Sequence, residues 1–174
     1  MATQHGELKR LRAPLSAFIV DGFNFRTPSV RHYLLTHAHS DHTCGLSSPF
    51  ELGVIYCSAL TGRFLCARLG KCLSEVMVTI EVGESIRVDG VRITALDAGH
   101  CPGSLMFLLE HVASGYRALH TGDCRASDAV VSAAVACIQP RGALDALYLD
   151  TTYLDETLRI CRGGGSGVPF VFRA

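Results

Sequence analysis

The sequence predicts a mixed α/β (α+β) fold, rich in strands and poor in helices. Short apolar runs recur along most of the chain. One of them doubles back through Asp89-Gly90, a pair that tolerates the positive φ of a tight hairpin turn. Only two stretches space their apolar residues as a helix does.

In chain order, strand character begins with "AFIVDGF" (17–23), "HYLLTH" (32–37) and "GVIYCS" (53–58). In "SALTGRFLCARLG" (58–70), Leu60, Phe64, Leu65 and Leu69 fall at helical spacing, with Ser58 as N-cap and Gly70 as the stop. Another strand, "EVMVTIEV" (75–82), precedes the hairpin "SIRVDGVRITALDAG" (85–99). Further strands are "SLMFLLE" (104–110), "YRALHTGD" (116–123) and "ALYLDTT" (146–152). Between the last two, "SDAVVSAAVACI" (127–138) is a helix of small residues. No internal repeat is visible. The strand rhythm stops after Asp155, where Gly163, Gly164, Gly165 and Gly167 cluster. The expected organisation is therefore one domain over 1–155 and a Gly-rich tail over 156–174, either a linker or sequence unrelated to the domain.

A chain of 174 residues, 48% hydrophobic, suits one domain with a real core. Sixteen basic and sixteen acidic residues cancel, so no overall field points to nucleic acid, membrane or acidic partners. A nuclease can still build a basic groove locally, so neutrality counts little against one. The eight cysteines form no C-x-x-C pair, and "MATQHGELKRLRAPL" lacks the apolar core of a signal peptide. Reduced, buried thiols in an intracellular protein are expected. No apolar run reaches the about 18 residues of a membrane span, so no membrane partner is expected.

Chemistry concentrates in "LTHAHSDHTCGL" (35–46), which holds three of the eight histidines and an aspartate. Alternate residues at a strand end point the same way, so His37 and His39 can offer two imidazoles to one metal ion. As the chain turns, Asp41 and His42 can reach a second ion. Neutral imidazole and carboxylate suit Zn²⁺, with Mn²⁺ or Fe as substitutes.

Such a site needs ligands from elsewhere in the chain. His100 in "LDAGHCPGS" and Asp123 in "LHTGDCRAS" follow strands, and Gly122 lets the backbone come close. The two oxygens of Asp123 can bridge two cations. Asp21 and Asp150 also end apolar runs. An aspartate there either stops a strand or accepts the second N–H of a metal-bound histidine. Asp150 is the better candidate for that second task, and Asp21 for organising the loop that holds His37 to His42. His5, His32, His111 and His120 stay outside the candidate set.

The segments "THAHSDH", "DAGHCPGS", "HTGDCRAS" and "LYLDTTY", in this order, resemble the metallo-β-lactamase superfamily. More narrowly they resemble the DNA cross-link repair nucleases of the Artemis and Apollo group, in the β-CASP branch. The resemblance runs from about Phe18 to Tyr153 and implies an αββα sandwich with the metals at one edge. It implies one ion held by His37, His39, His100 and the bridging Asp123. A second ion would use Asp41, His42, Asp123 and a histidine supplied later in the family's chain. Asp150 corresponds to the acidic residue opening the β-CASP motifs, and Asp21 to the family's structural first motif.

The implied chemistry is Zn²⁺-dependent hydrolysis of DNA phosphodiesters from a 5′ end, in the nucleus, with Asp41 and His42 catalytic and Asp41 serving the attacking water. Two departures stand near the metal edge: Gly99 in place of the family's asparagine, and Cys124 in place of an aromatic residue. The sequence after Tyr153 departs altogether, so an N-terminal part of the sandwich is expected, with an incomplete second metal site, no β-CASP insertion and no closing strands. Alternatives are a small metallo-hydrolase of another branch, such as a glyoxalase II-like thioesterase or a lactamase, and a non-catalytic remnant.

Overall fold

The computed structural model describes residues 9–149, except Arg26 and the side chain of Cys72. The expected tail over 156–174, and Asp150, lie outside the described residues.

Among the described residues, nine strands form two sheets. β1 (Phe18–Val20), β2 (His32–Leu34), β3 (Val54–Cys57) and β4 (Met77–Thr79) make a four-stranded parallel sheet in that order. The second sheet has the order β5 (Ser85–Val88), β6 (Val91–Asp97), β7 (Leu105–His111), β8 (Arg117–His120) and β9 (Ala146–Tyr148). It is antiparallel except for the parallel pair β8–β9. Asp89 and Gly90, at φ 46° and 77°, make the β5–β6 turn as the hairpin signal anticipates.

Side chains alternate between two apolar layers, which is why these runs make sheets buried on both faces. Phe18, Val20, Leu34 and Tyr56 from the first sheet meet Ile93, Ala95, Phe107 and Leu109 from the second. The opposite face of the first sheet, with Ile19, Tyr33 and Ile55, packs on Leu65, Cys66 and Leu69 of helix α1 (Ala59–Leu69). The outer face of the second sheet, with Leu96, Met106 and Leu108, packs on Val130, Ala134 and Cys137 of helix α2 (Asp128–Ile138). The layers run helix, sheet, sheet, helix, the αββα arrangement the resemblance implies.

Both helices start at serine caps: Ser58 accepts from Thr61 N–H at 3.1 Å and Ser127 from Val130 N–H at 3.3 Å. Arg117 ties α2 to the sheet by pairing with Glu110 (Nε–Oε1 3.0 Å) and donating to the carbonyls of Ile138 and Gly142.

Two expectations need correction. The run 75–82 begins not as a strand but as the end of a 3-10 turn, Lys71–Val76, and pairs only over Met77–Thr79. The strand at 32–37 ends at Leu34, so His37 and His39 do not project from a ladder. The reason is local: the Asp21 carboxylate takes Thr36 N–H at 2.8 Å, and Thr36 C=O accepts Leu105 N–H at 2.8 Å. The chain thereby leaves the first sheet and hooks onto the second. Thiol burial is also uneven. Among the described cysteines only Cys57 is fully buried, its thiol pushed up to about 12 by burial, while Cys44 is exposed. The six described cysteines form no disulfide.

Candidate metal centre

Three loops converge at one edge of the sandwich: 35–42 after β2, 98–104 after β6 and 121–127 after β8. Each is pinned by a neighbour. Ser58, the α1 cap, donates to Gly103 C=O at 2.7 Å and so fixes the loop carrying His100. His120 Nδ1 accepts Gly122 N–H at 3.1 Å at the start of the loop carrying Asp123. Gly122 sits at φ 52°, and a Cβ there would meet Thr36 at 2.7–3.0 Å, so a side chain would push the Asp123 loop away from His37.

The structure brings together six of the eight sequence candidates. His37 Nε2 lies 2.9 Å from His39 Nδ1, and His100 Nε2 lies 3.2 Å from the same atom. Asp123 Oδ2 is 3.7 Å from His100 Nε2 and 3.9 Å from His37 Nε2. Its other oxygen, Oδ1, is 3.2 Å from His42 Nε2, and Asp41 Oδ2 meets that nitrogen at 3.4 Å. Asp123 thus turns one oxygen to each of two donor groups. His37 is fully buried, His39 and His100 are exposed, and Asp41 has 75% of its side-chain surface in water.

Asp21, the seventh candidate, does not face the cluster's interior. Its Oδ2 takes His42 Nδ1–H at 2.8 Å and the Thr36 hydroxyl at 2.7 Å. At His42 the task of orienting a histidine falls to Asp21. Asp150 lies outside the described residues.

Charge follows from this packing. Burial, then the nearby positive charge of His42, pushes His37 down to about 4, so it is a neutral imidazole with a lone pair to offer. Burial also opposes charge on His42. The hydrogen bond and charge of Asp21, with Asp123 and Asp41, outweigh it and hold His42 above its ordinary value. Burial likewise pushes the Asp21 carboxyl up, but His42 and Thr36 outweigh it, and the group stays below the usual range.

The donor set fits a divalent ion. Tetrahedral zinc with bonds of about 2.0–2.1 Å holds neighbouring ligand atoms about 3.3 Å apart. The separations His37–His39, His39–His100, His100–Asp123 and His37–Asp123, at 2.9–3.9 Å, bracket that value; the three histidines form one compact group, and Asp123 closes with His37 and His42 in another. His42 and Asp123 form a second group of donors, which His37 also borders, and Asp41 meets His42 on its open side at 3.4 Å. Beside His100 a cleft of about 560 Å³ is lined in part by Ser58, Glu81, Asp97 and Cys101.

Sequence reading missed three supporting residues. Thr43 donates its hydroxyl to His39 C=O at 3.0 Å, and Arg68 on α1 donates to Thr43 Oγ1 at 2.6 Å and to Ala38 C=O at 3.4 Å. Thr36 joins Asp21 to His37, with Oγ1 3.0 Å from His37 Nδ1. Thr36 and Thr43 flank the histidine motif directly, which is the one signal they carry in sequence. Arg68 carries none. Cys124 is half-buried and packs on the apolar layer of Leu96, Leu108 and Ala134 under α2.

Comparison with known proteins agrees with this geometry. Residues 18–167 match the β-lactamase superfamily domain. The 5′ exonuclease Apollo of Danio rerio is 37% identical over 137 residues, covering 74% of this chain and 23% of that protein. The DNA cross-link repair 1A protein of Gallus gallus is 36% identical over 143 residues, covering 82% of this chain and 14% of that protein. The chain thus spans less than a quarter of either relative. Among solved structures, Zn²⁺-bound PqqB from Methylobacterium extorquens aligns with a TM-score of 0.51 at 21% identity, over 68% of this chain and 45% of that one. That likeness concerns the fold alone.

Proposed function

The chain belongs to the β-lactamase superfamily, with the metallo-β-lactamase fold, and from that premise we propose that it serves metal-dependent hydrolysis of DNA phosphodiesters from a 5′ end, in DNA cross-link repair. The observation that carries the reading is the carboxylate of Asp123, whose two oxygens face two separate donor groups. Relatives named as a 5′ exonuclease and a DNA cross-link repair protein support the choice of DNA, of a 5′ end and of the nucleus.

His37, His39, His100 and Asp123 would hold one Zn²⁺ tightly, and Asp41, His42 and Asp123 a second one weakly, because that set is open to water at Asp41. When bound, zinc would supply Lewis acidity there, acidifying water and neutralising charge on a phosphoryl oxygen. The protein's own groups do the rest. Asp21 keeps the proton of His42 on Nδ1, so Nε2 faces the site. Asp41, exposed at the rim beside that nitrogen, orients the attacking water and takes its proton at Oδ2. Among the described residues no helix is long and apolar enough to cross a membrane.

The test is a 3′-labelled, 5′-phosphorylated single strand given to the zinc-loaded chain. Stepwise shortening from the 5′ end, lost on chelation and in Asp123→Asn, is expected. Turnover of a glutathione thioester with DNA left intact would replace this reading with that of a small thioesterase.

A further inference from the structure

Asp21 has two oxygens and three donors around it. Oδ1 accepts Thr36 N–H at 2.8 Å, and Oδ2 accepts both the Thr36 hydroxyl at 2.7 Å and His42 Nδ1–H at 2.8 Å. Asp21 is 5% exposed, and all three donors converge on so buried a group. An ionised carboxylate only accepts, so the single proton of the Thr36 hydroxyl points at Asp21.

That assignment has a consequence on the far side of the hydroxyl. Thr36 Oγ1 also lies 3.0 Å from His37 Nδ1. With its proton already given to Asp21, Oγ1 has only lone pairs left for His37. His37 Nδ1 must therefore be the donor, and Nε2 is left bare. Nε2 is the atom that faces His39 Nδ1 and Asp123 Oδ2. The ring is fully buried, so no solvent contact competes for either nitrogen.

From these bonds we infer that Thr36 is a positioning residue that relays the Asp21 carboxylate to His37, so that one buried carboxylate sets the tautomers of both His42 and His37 and thereby serves both donor groups. Asp21 acts on His42 directly and on His37 through one hydroxyl. The inference rests on reading the cluster as a metal centre, yet it concerns neither DNA nor turnover. It assigns a role to a threonine that neither ligates nor touches substrate. It also predicts that the two groups fail together when Asp21 is changed, and separately when Thr36 is changed.

The experiment reads histidine tautomers by long-range ¹H–¹⁵N correlation on the metal-free 174-residue chain, and Zn²⁺ affinity by competition with a chromophoric chelator. At a pH high enough for His42 to be neutral, His37 and His42 are both expected as Nδ1–H tautomers in the unaltered protein. Thr36→Val keeps the side-chain shape and removes the relay. His37 is then expected to populate Nε2–H while His42 is unchanged, and the tighter Zn²⁺ affinity to fall about tenfold. Thr36→Ser should restore both. An Nε2–H tautomer at His37 in the unaltered protein overturns the inference without any variant. So does Thr36→Val with unchanged tautomer and affinity. Loss of DNA cleavage alone would count against the proposed function and leave the relay standing.

Discussion

Arg68 Nη2 lies 2.6 Å from Thr43 Oγ1, so the last turn of helix α1 is fastened to the turn that carries His39, Asp41 and His42. The threonine accepts from the guanidinium and passes its own proton to His39 C=O at 3.0 Å. Removing the guanidinium in Arg68→Ala should loosen the turn. A stability loss of about 1 kcal/mol is expected in urea unfolding, small because the arginine is largely exposed. Zinc affinity should fall several-fold, and Arg68→Lys should recover only part of it, since one ammonium cannot span both acceptors.

Asp123 is expected to decide stoichiometry. In Asp123→Asn the side chain keeps its shape but offers one neutral oxygen instead of two charged ones. Metal analysis after gel filtration should find at most one zinc per chain. The second, more open group of His42 and Asp41 should be the one that empties.

Asp21→Asn places an amide where three donors converge. The amide nitrogen must then face at least one N–H or O–H with no acceptor for it. A loss of about 2–4 kcal/mol is expected, measured by chemical unfolding of the metal-free chain. The cost should shrink at acid pH, where the native carboxylate is itself protonated and the unaltered protein loses the same bonds.

Acid sensitivity should have a second source in His120. Burial, against a smaller opposing effect of Asp21, pushes its imidazole down to about 4 from 6.5. The ring stacks on Tyr148 at 5.5 Å, and its Nδ1 accepts Gly122 N–H, which a protonated ring cannot do. The unfolded chain therefore binds a proton that the folded chain refuses between about pH 6.5 and 4. Stability attributable to this group is complete above that window, is lost as pH falls through it and is flat below. The loss is at most about 3 kcal/mol, an upper limit because the ring keeps some contact with water. The difference between the unaltered chain and His120→Gln, taken across unfolding curves at several pH values, isolates it from His37.

The layering came only as the implication of a family resemblance. The sequence by itself determined the strand-rich, helix-poor class, the Asp89-Gly90 turn, the Ser58 cap and the six residues that cluster at the sheet edge. Those features are written in local signals: alternation, turn chemistry, and donor types packed into a short motif. Tertiary structure alone decided how the six are held. Asp21 and His42 are 21 residues apart, Arg68 and Thr43 25, and nothing periodic connects either pair. Their bonds exist because β1 and β2 run parallel in one register and α1 packs across the same sheet. The place where β2 ends was decided there too. Reading on to His37 as strand is natural from an apolar run, but the buried carboxylate of Asp21 competes for Thr36 N–H and turns the chain away two residues after the ladder stops. A buried charge outbids a ladder hydrogen bond, and only the folded chain brings that charge within reach.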